Sequence, residues 1–118
     1  MERYQDAIDY FSKEIELNVS SSKSYPYRAY CYVRLGLFHE AIGDYTMALK
    51  ADPMNLQYLH NRGVCYERVH EYRQAVEDFT QEINLSNCSA SYFIRGYCYD
   101  SMGELELALK DYSAALQK

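Results

Sequence analysis

The sequence predicts an all-α fold of about seven helices, arranged as antiparallel pairs that repeat along the chain. Three observations predict it. Ala7, Ala41, Ala75 and Ala108 follow one another at steps of 34, 34 and 33 residues, and each is followed four positions later by an aromatic: Phe11, Tyr45, Phe79 and Tyr112. A period in that range marks stacked supersecondary units. Within the segments, apolar residues step by three and four, as in Leu105, Ala108, Leu109, Tyr112 and Leu116, or Phe38, Ala41, Ile42, Tyr45 and Leu49. Such steps trace one face of a helix. Finally, 48% hydrophobic and 15% aromatic residues supply a core, while 2 Pro and 5 Gly leave little room for the many tight turns of an all-β fold.

Two kinds of segment alternate, A and B, in the order B, A-B, A-B, A-B. The A segments carry a second recurring block: Tyr27-Arg28-Ala29-Tyr30-Cys31-Tyr32, Asn61-Arg62-Gly63-Val64-Cys65-Tyr66 and Ile94-Arg95-Gly96-Tyr97-Cys98-Tyr99. Helices are expected near 3–17, 24–35, 38–50, 56–69, 72–84, 89–102 and 105–117. Gly36 and Gly103 separate A from B as left-handed C-caps, and His70 fills the same place at some cost. B segments close at Asn18 to Ser22, at Asp52-Pro53-Met54-Asn55, where Pro53 blocks continuation, and at Ser86 to Ser89.

The pattern Tyr25-x2-Arg28-Ala29-x2-Tyr32…Ala41-x3-Tyr45…Pro53 resembles the tetratricopeptide repeat (TPR). Leu59-x2-Arg62-Gly63-x2-Tyr66…Ala75-x3-Phe79 and Tyr92-x2-Arg95-Gly96-x2-Tyr99…Ala108-x3-Tyr112 repeat it. The resemblance covers essentially the whole chain. Departures are the absence of Trp, Arg where the motif prefers Leu, and Asn87 where Pro is usual. It implies a single TPR domain over 1–118, with a half repeat at 1–21 and repeats at 22–55, 56–88 and 89–118, stacked as a right-handed alpha-alpha superhelix. The organisation is that of a segment of a longer protein. Small residues belong where helices approach closely, and the following aromatics are the knobs between layers. Tyr4, Ile8, Phe11 and Ile15, on a B helix without an A partner, are expected to lack part of their cover.

Arg28, Arg62 and Arg95 each precede an aspartate, Asp44, Asp78 or Asp111, by 16 residues. One fixed spacing for three couples points to bidentate pairs, either between helices A and B or between adjacent repeats.

Other chemistry is excluded on composition or spacing. A formal net charge of −5, from 12 Lys and Arg against 17 Asp and Glu, argues against a nucleic-acid partner. No apolar run reaches the length of a membrane span, and Met1 to Asp6 has no signal-peptide character. A reducing cytoplasmic or nuclear setting is expected. Cys31, Cys65 and Cys98 follow the repeat, too far apart for disulfides and without zinc spacing, and read as buried thiols. Cys88, in a loop, is the candidate reactive thiol. His60 and Cys65 project to different faces, so they form no nucleophile pair. No cofactor, metal or catalytic residue is expected, and the chain reads as no enzyme. Asn18-Val19-Ser20, Asn84-Leu85-Ser86 and Asn87-Cys88-Ser89 read as turn chemistry.

The resemblance implies a concave groove lined by the A helices, binding a peptide segment or helix of a protein partner. On this sequence it is expected to comprise Tyr27, Tyr30, Arg34, His60, Asn61, Val64, Arg68, Phe93, Ile94 and Tyr97. Chaperone-binding members grip an acidic C-terminal tail with Lys, Asn, Asn, Lys and Arg; the matching positions here hold Pro26, Tyr30, Asn61, Ala90 and Ile94. Only Asn61 fits, so capture of such a tail is expected to be disfavoured, with a hydrophobic peptide or amphipathic helix as the guest. The alternative is a structural segment that self-associates, as a homo-oligomer, through exposed terminal helices.

Overall fold

A computed structural model of the chain describes residues 2–17 and 21–117. They form α1 (Glu2–Glu16), α2 (Ser21–Arg34), α3 (Phe38–Ala51), α4 (Leu56–Arg68), α5 (Tyr72–Ser86), α6 (Ser89–Ser101) and α7 (Leu105–Leu116). Each helix packs mainly on the one before and the one after. The result is an elongated stack of 48 × 25 × 20 Å.

The A-to-B turns share one backbone device. Gly36, His70 and Gly103 have φ of 78°, 65° and 83°. The next N–H then reaches back into the last turn: Leu37 to the Tyr32 carbonyl, Glu71 to Tyr66 and Glu104 to Tyr99, each at 2.8 Å. This is the Schellman closure, which satisfies carbonyls a helix end would orphan. The B-to-A turns differ from one another. Asn55 caps α4 by accepting from the Tyr58 N–H at 2.9 Å. Asn87, at φ 58°, ends α5 in one residue, so no proline is needed there. That economy extends α5 through Asn84-Leu85-Ser86, which is helix and not the expected turn. Asn87 and Cys88 are the whole connection to α6. Asn18-Val19-Ser20 lies outside the described residues. α2 begins at Ser21, earlier than expected, and keeps Pro26 inside it.

The core follows the period. Ala41 and Ala75 are 0% exposed and Ala108 2%. Opposite them Ala29, Gly63 and Gly96 let the knobs Tyr45, Phe79 and Tyr112 approach. A Cβ on Gly63 would lie 2.9 Å from the Phe79 ring, and one on Gly96 would lie 3.0 Å from the Tyr112 ring. Cys65 and Cys98 fill the same layers, and burial pushes their thiols up to about 11 and about 12. On α1, Ile8 is buried and Tyr4, Phe11 and Ile15 are half-buried, because α2 covers that face. The exposed apolar residues of this end are instead Tyr10 and Leu17.

Every arginine of the ladder is bidentate to its aspartate: Arg28–Asp44 at 2.7 and 2.7 Å, Arg62–Asp78 at 2.8 and 2.7 Å, Arg95–Asp111 at 2.8 and 2.8 Å. The third nitrogen reaches the preceding B helix, donating to Ser12, Thr46 and Thr80 at 2.9, 3.2 and 3.0 Å. The Arg–Asp pairs therefore bridge helices A and B of one repeat, and the preceding repeat is reached through a hydroxyl and not a carboxylate. Each guanidinium ties three consecutive helices and lies against ring faces, Arg28 over Tyr25 and Tyr32, Arg62 over Tyr66, Arg95 over Tyr92 and Tyr99.

Candidate functional site

The A helices α2, α4 and α6 stand in sequence, and the side chains one turn apart on their free faces form two depressions. The first, about 730 Å³, lies between α2 and α4 and is lined by Lys23, Pro26, Tyr27, Tyr30, Tyr45, Gln57, Tyr58 and Asn61. Tyr27 and Tyr30 are 62% and 52% exposed, yet each leans on α1, Tyr27 stacked on Phe11 and Tyr30 edge-on to Tyr4. Asn61 donates to the Tyr45 hydroxyl at 3.3 Å. Burial holds the Tyr45 phenol neutral, up to about 12. The floor therefore offers neutral hydrogen-bonding groups, and the Lys23 ammonium stands at the rim.

The second depression, about 240 Å³, lies between α4 and α6 and is lined by Val64, Glu67, Arg68, Phe93, Ile94 and Tyr97. Arg68 is exposed, over the Phe38 ring and 3.7 Å from Glu67. Phe93 also faces an apolar hollow of about 380 Å³ with Ser89, Ala90, Tyr112, Ala115 and Leu116.

Among the residues expected in the groove, Tyr27, Tyr30 and Asn61 meet in the first depression, and Val64, Arg68, Phe93, Ile94 and Tyr97 in the second. Arg34 turns back to α1, 3.3 Å from the Tyr4 hydroxyl. His60 turns inward, with Nδ1 3.0 Å from the buried Glu82 and its ring edge-on to Phe79. Tyr45 and Tyr58 were not read as lining from the sequence. Their helical phase assigns them to packing; Tyr45 is buried and Tyr58 half-buried, and both nonetheless line the depression between α2 and α4. Among the described residues, no group of three or more His, Cys, Asp or Glu could hold a metal. No helix there is long and apolar enough to cross a membrane.

Comparison with known proteins agrees with this geometry. A tetratricopeptide-repeat family model matches residues 89–117. Mouse sperm-associated antigen 1 is 37% identical over 57 residues, 48% of this chain and 6% of that protein. Hsp70-Hsp90 organizing protein 2 of Arabidopsis thaliana is 29% identical over 62 residues, 52% of this chain and 11% of that protein. The chain thus spans only a small part of the curated relatives it matches. Among solved structures, MamA superposes with a TM-score of 0.89 at 21% identity, over 97% of this chain and 67% of that one. That likeness shows the fold. The second TPR of Spaghetti (RPAP3), bound to the HSP90 peptide SRMEEVD, superposes with a TM-score of 0.75 at 28% identity, over 88% of this chain and 97% of that one.

This last structure, with the organizing-protein likeness, overturns one expectation. Four missing clamp side chains do not make an acidic chaperone tail a disfavoured guest. Five single positions do not exhaust the donors a groove can present. Donors on long side chains also enter a groove from neighbouring turns of the same helix face. Lys23, one turn before Pro26, lines the depression, as do Gln57 and Asn61.

Proposed function

Because this chain is a tetratricopeptide-like all-helical repeat protein, a fold that serves as a scaffold for binding proteins and peptides, we propose that its concave side holds an extended acidic peptide segment of a protein partner, without catalysis. The observation that carries the reading is the likeness to the peptide-bound TPR of Spaghetti, which extends over nearly the whole of both chains. In support, the Lys23 ammonium and the Gln57 and Asn61 amides are suited to carboxylates, and the faces of Tyr27 and Tyr30 to the intervening side chains. Arg68 offers a second cation one depression further along, beside Phe93 and Tyr97. The organisation into a half repeat at 1–21 and repeats at 22–55, 56–88 and 89–118, within a longer protein, belongs to the same proposal.

Titration calorimetry with SRMEEVD tests it. Asn61→Ala and Lys23→Ala are each expected to weaken binding by roughly tenfold, the scale of a hydrogen bond to a charged group, with helicity unchanged. Tyr97→Ala is expected to weaken it less. Affinity falls as salt rises if carboxylates are the anchor. No binding at millimolar peptide, or both variants binding like the parent chain, would remove the assignment.

Self-association is a second reading, motivated by Tyr10 on α1, Leu17 just after it, and Leu105, Leu109 and Leu116 on α7, all exposed. Light scattering over a concentration series separates the two, since a strict monomer at high concentration eliminates it.

A further inference from the structure

Among the described residues, one buried side-chain oxygen has no hydrogen-bond partner: Ser91 Oγ on α6, at 0% exposure. A hydroxyl taken out of water without a partner is costly, and buried ones are normally paired. The repeat identifies the missing partner. Ser24 holds the equivalent place on α2, four residues before its ladder arginine, and is also buried. Its hydroxyl donates to Glu14 of the preceding helix at 2.7 Å. Glu14 lies three residues after the knob Phe11, and Glu82 lies three residues after the knob Phe79. Glu82 is therefore to Ser91 what Glu14 is to Ser24. In the intervening layer both members are replaced together, by Ala48 and Tyr58. Yet Glu82, 7% exposed, turns to the other side and meets His60 Nδ1 of α4 at 3.0 Å. His60 is displaced as well. Its equivalents, Pro26 on α2 and Phe93 on α6, line the first and second depressions. His60 lines neither, although Gln57 and Asn61 of the same helix line the first and Val64 and Glu67 the second. Its side chain keeps 32% exposure.

We infer that His60 is a further carboxylate-binding side chain of the groove, withheld by Glu82 in the free chain: an acidic peptide segment takes the imidazole N–H, and Glu82 turns to the Ser91 hydroxyl. The exchange ends with one hydrogen bond more than it began. In the free chain Glu82 accepts from His60 and the Ser91 hydroxyl is unpaired. With peptide, a carboxylate of the guest accepts from His60, and Glu82 accepts from Ser91 as Glu14 does from Ser24. His60 touches the peptide; Glu82 and Ser91 are positioning residues that act through it. The inference rests on the peptide reading of the groove. It adds to that reading a donor on the stretch of α4 between the two depressions, along the path from Lys23 in the first to Arg68 in the second.

Two measurements on the full chain test it. The first needs no peptide. Ser91→Ala is expected to leave the urea midpoint unchanged or higher, since no bond is lost, whereas Ser24→Ala lowers it. In a His60→Ala chain Glu82 has already turned to Ser91, so there Ser91→Ala lowers the midpoint. The second is titration calorimetry with SRMEEVD. His60→Ala and Ser91→Ala each weaken binding about fivefold, the scale of one hydrogen bond. The double variant loses no more than either single one, because both changes break the same exchange. A Ser91→Ala chain less stable than the parent shows that the hydroxyl is already bonded and overturns the inference. Binding that Asn61→Ala weakens but Ser91→Ala leaves unchanged overturns it too, and leaves the groove reading standing. Losses that add in the double variant have the same consequence. No binding at millimolar peptide removes the groove reading and this inference with it.

Discussion

At the scale of single residues, identical substitutions have opposite signs depending on what the new atom meets. Gly43 and Gly63 both lie inside helices. A Cβ on Gly43 has nothing within 4 Å, while one on Gly63 lies 2.9 Å from a Phe79 ring that is itself 0% exposed. Gly43→Ala is therefore expected to stabilise by up to ~1 kcal/mol through helix propensity, and Gly63→Ala to destabilise by ~1–3 kcal/mol through overpacking. Urea midpoints of the two variants decide it, and the same sign for both would refute the packing account. The thiols divide similarly. Cys88 is exposed, and Cys31, Cys65 and Cys98 are buried. A maleimide is expected to label the native chain at Cys88 alone within minutes, as read by mass spectrometry. The buried thiols also set an alkaline limit. Their folded values lie above the ordinary 9.0, at about 11 for Cys65 and about 12 for Cys98. Above pH 9 the unfolded chain loses protons that the folded chain keeps. The stability is intact below that value and is lost as pH rises through the folded values, at roughly 1.4 kcal/mol per pH unit for each thiol. Chemical denaturation at pH 8 and pH 10.5 measures the fall, which a Cys65→Ala, Cys98→Ala chain shows to a smaller degree.

At the scale of elements, the arginine ladder links each A helix to both neighbours. Asp78 is 2% exposed, and its loss leaves the largely buried Arg62 guanidinium without its bidentate partner, beside Thr46 and Tyr66. Burial pulls the Asp78 carboxyl upward and Arg62 opposes it. The charge is held by geometry against desolvation, so the pair specifies helix position more than it adds net stability. Asp78→Ala is expected to cost ~3–5 kcal/mol, and a cycle with Arg62→Met to show coupling of at least ~1 kcal/mol. Additive effects in that cycle would mean the two side chains act separately. The existence of the pairs was legible in the sequence, because each repeat carries them at one spacing. The third partner was not. Ser12, Thr46 and Thr80 precede their arginines by 16, 16 and 15 residues, and serine and threonine are too common on helices for that spacing to stand out.

At the scale of the molecule, packing runs between consecutive helices, so stability is close to a sum along one axis. Helices α4 and α5 have neighbours on both sides in every layer, while α1 and α7 each present an open flank. Native-state hydrogen exchange is expected to show the slowest amides in α4 and α5 and the fastest helical amides in α1 and α7. Uniform protection across the seven helices would show that the stack opens as one unit. The same linearity shapes the groove. Its two depressions are lined by residues of successive helices, α2 to α4 in one and α4 with α6 in the other, and not by any one helix.

Periodicity alone determined the helices, their pairing, the close Ala and Gly contacts and the Arg–Asp couples, since each depends on neighbours a few residues away or on an exact repeat. The tertiary structure decided what depends on the angles between helices. It turned His60 inward to Glu82 and Arg34 back to Tyr4, though helical phase places both on the free face. It set Tyr45 and Tyr58 beneath the depression between α2 and α4 and brought Lys23 to its lining. A helical wheel assigns a direction to each side chain. Which atoms that direction meets is set by inter-helix packing, to which residues distant along the chain contribute equally.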